Sequence, residues 1–107
     1  MNKCVVNPSF KKTISILSKR WNGLIIYTML DGQQRFHSIE SSIGISRRVL
    51  SERLKELERL GIVKRVIFLE TSVRIEYSLT EKGLAFKPIL NEIEKWSNKW
   101  ESTEQTS

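Results

Sequence analysis

Gly44-Ile45-Ser46-Arg47-Arg48-Val49-Leu50-Ser51-Glu52-Arg53-Leu54-Lys55-Glu56-Leu57-Glu58-Arg59-Leu60-Gly61-Ile62-Val63-Lys64-Arg65-Val66 carries both the start and the stop signal of one helix. Ser46 can accept a hydrogen bond from an otherwise unpaired first-turn amide, and Gly61 tolerates the left-handed backbone that closes a helix. Between them Leu50, Leu54 and Leu57 recur at helical spacing, joined at the end by Leu60. Arg47, Arg48, Ser51, Glu52, Lys55 and Arg59 fall largely on the opposite side. A short capped helix with arginines and hydroxyls at its N-terminal end has the shape and donors that the major groove of DNA accepts. The same charges also fit a solvated face of internal pairs, such as Arg48 with Glu52 and Glu56 with Arg59. The flanking sequence decides between the two.

Past Gly61 the apolar period changes from about 3.6 to 2. Ile62–Leu69 is β-branched and apolar with Lys64 and Arg65 embedded. Val73–Leu79 alternates, placing Val73, Ile75, Tyr77 and Leu79 on one face and Arg74, Glu76 and Ser78 on the other. Two strands joined through Glu70-Thr71-Ser72 form a hairpin. Upstream, Phe36–Ser42 reads as a short helix with Ile39 and Ile43 inward, turning through Gly44-Ile45 into the Ser46 helix. Helix, tight turn, helix, hairpin is the order of a winged helix-turn-helix, and it is far more specific than any of its parts.

Further out, Phe10, Ile14, Leu17 and Trp21 predict an amphipathic helix opening near Pro8. Asn22–Leu30, apolar nearly all round, predicts a buried second helix ended by Asp31-Gly32, with Gln33-Gln34-Arg35 as an extended link. Thr80 is placed to cap the last helix, which runs to about Trp100, with a kink or break at Phe86-Lys87 imposed by Pro88. The stripe Ile89, Ile93, Trp96, Trp100 fits the protein's own core or a partner surface. With four helices and a hairpin already serving the core, it favours a dimer interface shared with Phe10, Ile14 and Leu17.

The expected fold is therefore mainly α with a small β-hairpin, dimeric through its N- and C-terminal helices. One domain spans 1–107: N-terminal helices over 8–30, the helix-turn-helix over 36–60, the wing over 62–79 and a C-terminal dimerisation helix over 80–101. A chain of 107 residues supports one modest core.

Composition agrees. The net charge is +6. Residues 1–30 hold five Lys/Arg and no acid, and residues 46–65 hold seven Lys/Arg against three Glu, whereas the segment from Glu81 is close to neutral. A basic front suits a polyanion, and double-stranded DNA is the partner the helix favours. No segment has the make-up of a membrane-surface helix or of a secretory signal, so no membrane partner is expected and the cytoplasm is the expected location. One Cys and one His, His37, make neither an internal disulfide nor a zinc site, and no metal or cofactor is expected. Nothing in the chain makes a nucleophile-base set or a phosphate-cradling loop, so no enzyme is expected.

For the groove the candidates are Ser46, Arg47, Arg48 and Ser51, with Lys55 beside them. Lys64, Arg65 and Arg74 are placed to touch phosphate or the minor groove. Cys4 has two readings: an inert terminal thiol, or a redox sensor whose thiolate is favoured by Lys3. The competing functional class is a winged-helix protein-interaction or assembly module without sequence-specific DNA binding.

Several segments, in this order, resemble the HxlR-type winged-helix transcriptional regulators of bacteria and archaea from Cys4 to about Trp100. They are Cys4, Lys19-Arg20-Trp21, Leu30-Asp31-Gly32, Arg35-Phe36, Gly44-Ile45-Ser46, Leu54-Lys55-Glu56-Leu57-Glu58, Gly61-Ile62-Val63, Glu76 through Gly83, Pro88-Ile89-Leu90 and Trp96. The resemblance implies a homodimer that sets two recognition helices on a partly palindromic operator as a regulator, read here as a repressor. For some members it also implies an electrophile or oxidant effector sensed through the cysteine that Cys4 matches. The chain departs from the family in its wing, Leu69-Glu70-Thr71-Ser72-Val73, which lacks the frequent prolines. It departs again at Leu17-Ser18, where glycines are usual.

Overall fold

A computed structural model describes residues 5–102. Six helices and three strands follow in the order α1 (Pro8–Ser18), α2 (Asn22–Thr28), β1 (Gln34–Arg35), α3 (Phe36–Ile43), α4 (Arg47–Arg59), β2 (Val63–Phe68), β3 (Arg74–Leu79), α5 (Glu81–Leu84) and α6 (Lys87–Trp100). The winged helix fold read from the sequence is present. No helix among the described residues is long and apolar enough to cross a membrane.

Local chemistry sets the helix limits. The Asn7 side chain accepts from the Ser9 amide at 2.7 Å with Pro8 in the first turn of α1. The Ser46 hydroxyl accepts from the Val49 amide at 3.3 Å and opens α4. At the far end Gly61 adopts φ 77°, its amide bonds to Glu58 O and the Ile62 amide to Leu57 O, both at 2.9 Å. This pair of reversed bonds satisfies carbonyls that the helix itself leaves open.

The corner between α1 and α2 is built differently. Trp21 holds φ 80°, a conformation rare for a bulky side chain, with the Arg20 guanidinium 4.8 Å from its ring centroid. Next to it the buried Asn22 amide donates to Ile16 O at 3.0 Å and ties the end of α1 to the start of α2.

The core joins Ile25, Ile26 and Met29 of the α2 segment, Ile39 of α3, Leu50, Leu54 and Leu57 of α4, and Ile62, Leu79, Phe86 and Leu90. The expected recognition-helix stripe is therefore its centre, since Leu50, Leu54 and Leu57 are all at most 1% exposed.

Three expectations need correction. The hairpin is part of a three-stranded antiparallel sheet in the order β1-β3-β2, with Gln34 opposite Tyr77 and Arg35 opposite Glu76, so the extended link is an edge strand. The strands are also shorter than read: Leu69 to Val73 forms the loop, and the face of Val73, Ile75, Tyr77 and Leu79 is buried only at Leu79, because the wing projects past the helices. The helix over 22–30 ends at Thr28 and is not buried all round, since Leu24 and Tyr27 are 52% and 46% exposed. The break expected at Phe86-Lys87 is present and divides the segment 80–101 into two helices: Thr80 caps the single turn α5, and Pro88, whose ring is tolerated only in a first turn, sits at the start of α6.

Candidate nucleic-acid interface

Because one side of α4 is anchored in the core by three leucines, its other side faces outward. Arg47 and Arg48 leave 77% and 89% of their side chains exposed in the first turn. Ser46 and Lys55 are exposed beside them, and Ser51 is half-buried. Arg47 Nε lies 3.7 Å from Glu40 of α3, and Arg48 Nε lies 3.6 Å from Glu52. Exposed pairs of this kind contribute about 0–1 kcal/mol, so either guanidinium can exchange its carboxylate for a base edge or a phosphate at small cost. The predicted pairing of Arg48 with Glu52 is present, and it leaves the arginine accessible.

Not every cation of α4 is available in this way. Arg53 keeps only 17% of its side chain exposed and lies 3.3 Å from Glu56. Glu56 also receives Lys19 Nζ at 2.8 Å and lies 3.6 Å from Arg59. The Lys19 hydrogen bond, aided by the other cations, holds the Glu56 carboxyl below its ordinary pKa. This cluster ties the end of α1 to the middle of α4.

On the wing, Lys64 and Arg65 are exposed on β2, and as neighbours in a strand they point to opposite faces. Arg74 is placed differently from these. Its Nε is 2.8 Å from Glu76, its Nη1 is 2.9 Å from Glu70, and its guanidinium lies 4.3 Å from the Phe68 ring centroid. Two carboxylates and an aromatic face thus engage it within the hairpin. The signal for this was in the sequence, because Arg74 and Glu76 are two apart on one strand face. Sequence reasoning missed Arg35, which ends β1 beside the helix-turn-helix with 63% of its side chain exposed and Glu76 3.9 Å away.

A second surface lies away from these cations. Ile89, Ile93, Trp96 and Trp100 of α6 are 44–62% exposed, and Phe10 and Ile14 of α1 are 60% and 47% exposed. Leu17 departs from this set, being half-buried against the core. Between the α1–α2 corner and α6 runs a groove of about 460 Å³ lined by Leu17, Trp21, Leu24, Leu90 and Ile93. At its edge Tyr27 donates to Glu94 at 2.8 Å, a bond that raises the pKa of the phenol. No group of metal-ligating side chains occurs among the described residues. Cys4 lies outside them.

Comparison with known proteins agrees with this geometry. The profile of the HxlR-like helix-turn-helix family matches residues 16–105. The HTH-type transcriptional regulator YvaP of Bacillus subtilis is 56% identical over 101 residues, 94% of each chain. Among solved structures, the reduced form of the transcriptional regulator YodB from B. subtilis superposes with a TM-score of 0.80 at 41% identity, covering 96% of this chain and all of that one. YodB is also known in diamide-treated and quinone-bound forms. The redox regulator HypR in its reduced form gives a TM-score of 0.80 at 30% identity, over 92% of this chain and 99% of that one.

Proposed function

The chain belongs to the HxlR-like helix-turn-helix family of DNA-binding transcriptional regulators, a non-enzymatic class, and on that premise we propose that it is a cytoplasmic homodimeric repressor of a partly palindromic operator. The whole chain acts as one winged helix-turn-helix domain. Each α4 enters a major groove, with the two half-sites about one turn of duplex, ~34 Å, apart. The observation that carries this reading is the exposed Arg47-Arg48 pair at the capped start of a helix whose other side is fixed in the core. Arg47 and Arg48 grip guanine edges, and Ser46, Ser51 and Lys55 hold the adjoining backbone. Lys64 and Arg65 contact phosphate. Arg74, engaged by Glu70 and Glu76, contributes to wing shape more than to charge.

Dimerisation is supported by the apolar side chains left open on α1 and α6. With Leu24 they are each 44–62% exposed, and a contiguous set of large apolar side chains left open in this way is the usual mark of a partner surface. An electrophile or oxidant is the proposed effector, supported by the diamide-treated and quinone-bound forms of YodB. Cys4, the sole cysteine, is its proposed target. With no second cysteine in the chain, the modified state is an adduct, a mixed disulfide or a Cys4–Cys4 bridge between protomers.

Selection of binding sites from random duplex DNA tests this, repeated after alkylation of the thiol. The expected result is an inverted repeat with half-site centres about 10 bp apart, released by alkylation in the native chain and retained in Cys4→Ser. Recovery of no preferred sequence would move the assignment to a protein-interaction module. Retention after alkylation would remove the thiol response alone.

A further inference from the structure

The C-terminal end of α4 is held by residues that belong to the start of the next helical pair. Lys82 Nζ donates to Leu60 O at 2.7 Å, and the Thr80 amide donates to Ile62 O at 3.0 Å. The Thr80 hydroxyl donates to Gly61 O at 2.5 Å, with Ile62 O also near at 3.2 Å, and accepts from the Gly83 amide at 3.1 Å. Gly83 is buried, and a Cβ at that position would overlap Ile62 O and press on Leu79 Cδ2. The absence of a side chain there is what lets α5 come within bonding reach of the α4–β2 turn. Two residues after α5, α6 begins, and Phe86 and Leu90 enter the same core as Leu57 and Ile62.

The end of the DNA-facing helix, the base of the wing and the root of the apolar C-terminal helix are thus bolted at one place. We propose that Thr80, Lys82 and Gly83 are positioning residues that fix the angle of α4 against α6, and so set the half-site spacing that the dimer accepts. The inference rests on the dimeric DNA-binding reading.

Lever geometry gives the expected size of the effect. Helix α4 has 13 residues and is about 20 Å long; Leu50, Leu54 and Leu57 seat its inner side in the core, the clamp adds a hold on its C-terminal end, and Arg47 and Arg48 stand at the other. A slack of about 10° at the clamp moves the arginines by roughly 3.5 Å, close to the ~3.4 Å rise of one base pair. A stiff clamp therefore rejects half-sites displaced by a single step, and a loose one tolerates them. Lys82 is the member that can be changed with least disturbance, since it is exposed and meets only a terminal carbonyl.

The test compares the native chain, Lys82→Met and Lys82→Arg on duplexes carrying the selected site with its half-site separation lengthened or shortened by one base pair. The native protein is expected to lose on the order of tenfold or more in affinity on the displaced sites. Lys82→Met should lose less than about threefold, with its salt dependence unchanged, and Lys82→Arg should restore the discrimination. Unaltered spacing discrimination in Lys82→Met, whatever its melting temperature, would overturn the proposal. So would a salt slope reduced by about one, which would make Lys82 a phosphate contact instead. A native protein indifferent to spacing would overturn the dimeric reading itself, and that result is visible before any variant is measured.

Discussion

Replacing Trp96 and Trp100 together by serine is expected to give a folded monomer whose operator affinity has fallen by on the order of 10² to 10⁴. Both side chains lie on α6, 58% and 62% exposed, so the monomer's own core draws little from them. Buried aromatics dominate interfaces at about 2 kcal/mol or more each when truncated, which for two weakens association by roughly 10³. A dimer that engages one half-site presents its second recognition helix to the other at an effective concentration in the millimolar range, and a monomer forfeits that advantage. Sedimentation equilibrium reports the association state, and fluorescence anisotropy of a labelled duplex reports the affinity. Thermal unfolding at protein concentrations where the native chain is already dissociated should be nearly unchanged. A variant that stays dimeric and binds as before would place the interface elsewhere.

Leu54→Ala should act on the opposite side of the same scaffold. Leu54 is 1% exposed and anchors α4 between Leu50 and Leu57 in the core. Truncating such a leucine costs about 2–5 kcal/mol through lost burial and the cavity left behind. That is a large part of the ~5–15 kcal/mol that holds a domain of this size together. The melting temperature, followed by circular dichroism, is expected to fall by roughly 10–20 °C. Below that temperature the variant should keep its base preference, because the groove-facing arginines are untouched. A loss of preference in the folded variant would mean that the leucine ridge and the outer face are not independent.

What could be read from the sequence follows from how local each determinant is. The limits of α4 depend on Ser46 and Gly61, whose side-chain oxygen and left-handed freedom act within a few residues, and both stand where expected. Pro88 likewise announced the discontinuity before α6. Strand β1 was not legible, because Gln34-Arg35 is short and polar and becomes a strand only by pairing with Tyr77 and Glu76, more than 40 residues away. The exposure of Leu24 was hidden for the related reason that α2 is apolar on more faces than the core covers, and only the placement of α6 shows which face is left over. At the interface, residue types identified Arg47 and Arg48 as outward cations. The same helical phase leaves Arg53, three residues from Leu50 and four from Leu57, out of that outward set, and its side chain is only 17% exposed beside Glu56; it could not reveal the contact between Lys19 and Glu56, 37 residues apart.

In the proposed complex the start of α4 reads base sequence while the cations on β2 only hold the duplex. Measuring Arg47→Ala and Lys64→Ala on the selected site and on a random duplex, across a salt series, tests it directly. The prediction is that Arg47→Ala costs about 1–3 kcal/mol on the selected site and little on random DNA, narrowing the ratio between them. Lys64→Ala should weaken both alike and reduce the salt slope by about one. Equal weakening of both duplexes by both variants would contradict the account.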